Sequence, residues 1–148
     1  MSSLVIGIFM ANSANAETYP VASCKSWDGS INYLTGKNSS NAQMVGTITY
    51  ENVKEYCTRG LYDKADIKKC IDENIIRATD ADLKTTANCE LGTLTFQYRD
   101  PERKFSKSLN FNVQPSNTSC ASGVPALMRQ FRLLCPIKYK NLRIDDWY

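Results

Sequence analysis

The sequence predicts a small single α+β domain with antiparallel β-hairpins, a helical hairpin and a C-terminal helix, stapled by disulfides. Three observations carry this. Leu94, Phe96 and Tyr98 alternate with polar residues, as do Leu109, Phe111 and Val113, which is the period of half-buried strands. Apolar residues over 67–78 and 124–134 recur at helical spacing instead. Six cysteines stand in the chain with no histidine, and no two of them form Cys-x-x-Cys. Strand-like and helix-like stretches do not alternate regularly, so a doubly wound parallel sheet is not expected.

Taken in order, residues 1–16 carry no charged side chain. Leu4 to Ala11 is a short apolar run, and Ala14-Asn15-Ala16 is a small-x-small site. Together they predict a signal peptide cut before Glu17. The run is far shorter than the ~20 apolar residues that span a bilayer, so the mature chain is expected to have no transmembrane segment. The remaining 148 − 16 = 132 residues, 17–148, suit a single domain. They hold all 18 Lys and Arg and all 15 Asp and Glu, for a net charge of +3.

Val21 to Trp27 and Ser30 to Thr35 flank Asp28-Gly29, which predicts a hairpin with a two-residue turn. Residues 35–43 are polar and turn-forming, and Met44 to Tyr50 is a short β-prone piece. Asn52 and Glu55 have the spacing of a capping box, with Gly60 as a left-handed stop for a short helix. Asp63 then caps a second helix, with Ile67, Cys70, Ile71, Ile75 and Ala78 on one face and Lys64, Lys68, Lys69, Asp72 and Glu73 on the other. Leu83 to Cys89 reads as a strand turning at residues 90–92. The two alternating strands follow, joined by the charged loop 99–104. Pro125 suits the first turn of a last helix, whose stripe is Val124, Leu127, Met128, Phe131 and Leu134. Cys135-Pro136 ends it.

Export to an oxidising compartment makes disulfides the simplest use of the cysteines. The expected pairs are Cys57–Cys70, Cys24–Cys89 and Cys120–Cys135. The first and last would join neighbouring segments, and the middle pair is what remains.

For chemistry the residues mostly exclude. Without histidine, a Ser–His or Cys–His nucleophile is absent, and no glycine-rich phosphate loop occurs. No catalytic residue, cofactor or metal ligand is indicated. Paired carboxylates could still hydrolyse a glycosidic bond, and the candidates are Asp72, Glu73, Asp80, Asp82 and Glu90. Each also reads as a solvated or capping acid. Basic residues gather twice, at Arg99, Arg103, Lys104 and Lys107, and at Arg129, Arg132, Lys138, Lys140 and Arg143. Such a patch would attract an anionic partner. Trp27, Trp147 and Tyr148 could anchor a partner or cover the sheet. Asn38 and Asn117 match the glycosylation pattern, which matters only in a eukaryotic source.

The expected function is an exported, non-enzymatic binding domain of the cell envelope, periplasmic or secreted and of bacterial type. Its sharper form is an inhibitor or immunity-type protein. The expected partner is an envelope or secreted protein, or an anionic envelope component, and not nucleic acid. A carboxylate-based cell-wall glycan hydrolase is the alternative.

Overall fold

The computed structural model describes residues 17–22, 27–60, 63–112 and 119–138. The expected signal peptide, Cys24, Asn117, Lys140, Arg143, Trp147 and Tyr148 lie outside the described residues.

Six strands form one antiparallel sheet in the order of the sequence. They are β1 (Thr18–Pro20), β2 (Asp28–Thr35), β3 (Ala42–Thr47), β4 (Asp82–Asn88), β5 (Thr93–Arg99) and β6 (Lys104–Asn110). Helices α1 (Tyr50–Thr58) and α2 (Lys64–Thr79) are inserted between β3 and β4. Helix α3 (Val124–Leu134) follows β6 and packs against β1, β3, β4 and β5. No helix among the described residues is long and apolar enough to cross a membrane.

The inner face of the sheet and the stripe of α3 make the core. Tyr19, Met44, Leu83, Leu94 and Phe96 meet Leu127, Phe131 and Leu134, all buried. Phe111 stacks on Phe131 with ring centroids 4.4 Å apart. The outer face is polar, as one face of an antiparallel sheet can be. There Thr95 and Ser108 share a hydrogen bond of 2.8 Å across β5 and β6.

The Asp28-Gly29 turn is corrected. Both residues lie inside β2, paired with Pro20 and Tyr19, and the reversal falls earlier, closed by the Val21 N–H donating to the Trp27 carbonyl at 3.0 Å. Gly29 is needed for close approach rather than for a turn. A Cβ there would stand 3.0 Å from both the Tyr19 ring and Val21, and 3.1 Å from Leu83.

The cap of α1 is corrected too. Thr49 is the N-cap and Asn52 the third helical residue, so the capping box sits one turn earlier than Asn52–Glu55. Asn52 Oδ1 accepts from the Thr49 amide at 2.9 Å and from the Ser30 hydroxyl at 3.0 Å, which ties α1 to β2. Gly60 does not adopt a positive φ; Arg59 closes the helix in a right-handed conformation. The polar loop is shorter than 35–43, because β3 already begins at Ala42. The charged loop contracts to the turn between Arg99 and Lys104, and β6 begins four residues before Ser108.

Asp63 caps α2 by accepting from the Ala65 amide at 2.7 Å. This helix packs on α1 and is bonded to it through Cys57–Cys70. Its apolar residues are only half-buried apart from Ala78, and Ile76 is 72% exposed.

The other bond is Cys89–Cys135, with Cα atoms 5.5 Å apart. This corrects both Cys24–Cys89 and Cys120–Cys135. Cys89 follows β4, at the end of the sheet where α3 finishes. Cys120 precedes α3 and Cys135 follows it. The 11 residues of α3 between them span roughly 16 Å, well beyond the ~7 Å limit for a bridge.

Candidate binding cleft

The register shows how a cleft arises. Met44, Thr85, Phe96 and Lys107 form one row across the inner face, and Leu83, Tyr98 and Phe105 form another. Helix α3 covers these rows as far as β5. At β6 the covering runs out, and Phe105 and Lys107 are left beside open space.

That space is a cleft of about 490 Å³. Trp27, Phe96, Tyr98 and Phe105 supply aromatic walls, with Val21 and Leu127 beside them. Gly123, at the start of α3, lines another side. Among the described residues, the charged ones in the lining are Arg103, Lys104 and Lys107, with no Asp or Glu. Pockets of a few hundred Å³ with apolar walls and a few polar groups are the usual form of a binding site.

Each wall is held by specific contacts. Trp27 stacks on Tyr56 of α1, with centroids 4.1 Å apart. The Lys107 ammonium donates to the Ser122 carbonyl, which brings it over the cleft. Arg103 lies over the Tyr98 ring, 5.8 Å from its centroid.

Asp100 organises the rim from behind. Its side chain is inaccessible to solvent, yet it accepts from Arg77 Nε at 3.0 Å and from the Tyr98 hydroxyl at 2.8 Å. The amides of Glu102 and Arg103 donate to its other oxygen at 2.9 and 2.7 Å. Burial alone would raise the carboxyl; these donors outweigh it and hold Asp100 well below the usual carboxylate range. The same contacts pin the C-terminal part of α2 to the β5–β6 turn. Burial first, and the bond to Asp100 second, raise the Tyr98 hydroxyl above its ordinary value.

The predicted basic patch is therefore split. Arg103, Lys104 and Lys107 come together at the cleft. Arg99 pairs with Asp82 at 3.1 Å. Arg129 is half-buried and Arg132 exposed on α3, and Lys138 donates to the Glu90 carbonyl at 2.6 Å; none of these lines the cleft. The candidate acids are dispersed as well. Asp72 pairs with Lys68, and Glu73 lies 3.9 Å from Lys69, both on the exposed side of α2. Asp80 is the C-cap of α2, Asp82 meets Arg99, and Glu90 is an exposed turn residue. Among the described residues, no group of His, Cys, Asp or Glu is arranged to hold a metal ion.

Sequence reasoning missed Tyr98 and Phe105 as site residues, and Phe96 with them. A signal was present: Phe105, Lys107 and Leu109 continue one period-two series from the basic cluster. What was not visible is that α3 stops short of them. Protein-family models, characterised proteins and solved structures, compared with this chain, give no match.

Proposed function

We propose that this chain is an exported, non-enzymatic binding domain of the cell envelope, and that the cleft beside β6 is where it holds an anionic partner with an apolar part. The cleft carries the proposal: among the described residues, four aromatic side chains and three cationic ones converge in a lining that holds no carboxylate. Aromatic side chains bury large area at little entropic cost, and clustered cations select negative charge. Arg103 is 3.4 Å from the Asp100 carboxylate, so Lys104 and Lys107 carry most of that selection. Two disulfides support an oxidising destination, as does the uncharged N-terminal run ending in Ala-Asn-Ala. An inhibitor or immunity-type role is the sharper form, since a rigid, cross-linked scaffold loses little entropy on binding.

Crosslinked capture from envelope and secreted fractions tests this, comparing wild type with Lys104→Glu/Lys107→Glu. Wild type should recover a specific partner that the variant recovers in much smaller amount. Equal recovery by both would move the site elsewhere. Release of muropeptides from cell wall by the pure protein, lost in a single Asp or Glu variant, would replace binding with hydrolysis.

A further inference from the structure

We infer that the partner docks as an acidic, extended peptide that pairs with the open edge of β6 and sets an apolar side chain into the cleft. This rests on the cleft-binding proposal and names its mode.

Among the described residues, β6 pairs with β5 on one side and with no strand on the other. It is seven residues long, contains no proline and keeps unbroken register with β5. Natural edges are blunted by shortness, proline, a bulge or charged side chains. Strand β6 has only the last, Lys104 and Lys107, which guard it against like-charged strands but not against an acidic one. The Phe111 amide donates to the Gly92 carbonyl at 2.8 Å. By antiparallel alternation, Phe105, Lys107 and Leu109 direct their backbone groups to β5. Ser106 and Ser108 then direct theirs outward, where a new strand would meet them.

Charge selects the occupant. Lys104 and Lys107 stand on this strand, with Arg103 just before it. A second copy of β6 laid along the edge would bring cations against cations, which is destabilising. An acidic strand would find its complement. Its inner-face side chains would lie next to Phe105, which is 50% exposed, and over the cleft. Backbone pairing would supply affinity and the cleft would read one side chain, the general logic of strand addition.

The test is a random ten-residue peptide library displayed on phage and screened against the chain with its disulfides intact. Enriched peptides should alternate apolar residues with Asp or Glu. One of them, synthesised, should bind Lys104→Glu/Lys107→Glu about tenfold more weakly or worse. It should also slow amide exchange at Ser106 and Ser108, and Ser106→Pro should weaken it while leaving the circular dichroism spectrum unchanged. Charge-dependent binding with those two amides exchanging as before would overturn strand addition and leave the cleft proposal standing. Equal binding to the charge-reversed variant would overturn both. No acidic enrichment would overturn the inference, and partner capture would decide the cleft separately.

Discussion

Gln130 ties three elements together, and a double-mutant cycle measures how strongly. It is completely buried in α3, facing Thr85 of β4, which is 1% exposed. The Thr85 hydroxyl donates to Gln130 Oε1 at 2.6 Å, and Gln130 Nε2 donates to the Pro20 carbonyl at 2.8 Å. Thr85→Val removes one donor and leaves a buried amide oxygen without it, which costs about 1–3 kcal/mol. Gln130→Met keeps the volume but strands both the Thr85 hydroxyl and the Pro20 carbonyl, at about 2–5 kcal/mol. The double variant strands the Pro20 carbonyl alone. Its loss should therefore be about 2–5 kcal/mol smaller than the sum of the singles. Urea unfolding of the oxidised protein, with equal denaturant slopes across the four proteins, reads this directly. Effects that add to within about 0.5 kcal/mol would mean that the two side chains do not interact, and the reasoning fails.

The same structure sets other outcomes. Gly46→Ala should destabilise by about 1–3 kcal/mol, because a Cβ there would collide with the Tyr19 hydroxyl and stand 2.8 Å from the Ser30 backbone oxygen. Gly60→Ala, with nothing within 4 Å, should change thermal stability little. Asp100 is held below its ordinary value of 3.8, so it binds a proton less readily folded than unfolded. The stability it contributes is full above pH 3.8 and drains as pH falls further. The deficit of Asp100→Asn relative to wild type should therefore shrink on acidification, followed by unfolding at stepped pH; a constant deficit would contradict the assignment. Loop lengths of 13 and 46 residues predict losses of about 3 kcal/mol for Cys57→Ser/Cys70→Ser and about 4 for Cys89→Ser/Cys135→Ser. Peptide mapping without reduction should recover both linked pairs.

Elements whose pattern is local were legible in the sequence. Asp63 caps α2, Pro125 opens α3, and the stripe from Val124 to Leu134 is buried as its spacing implies. Strands β4 and β5 follow the period-two alternation. What failed depended on contacts between distant segments. Asp-Gly is a strong turn signal, but Tyr19, Val21 and Leu83 crowd Gly29 and set its role. The buried Gln130 carries no local signal of its place in the core, and only the polar partners from β1 and β4 make its burial tolerable. Cysteine pairing followed which ends of α3 and β4 coincide, which spacing does not encode. For the cleft, the cations at 103–107 were visible as a cluster. Trp27 and Tyr98 joined them only through the sheet register and the place where α3 begins.

The most direct measurement is the hydrogen-exchange footprint that a captured partner leaves on this protein. Slowed amides at β6, around Trp27 and at the start of α3 are the predicted result. A footprint confined to the outer face of the sheet or to α2, with β6 exchanging as in the free protein, would contradict the account.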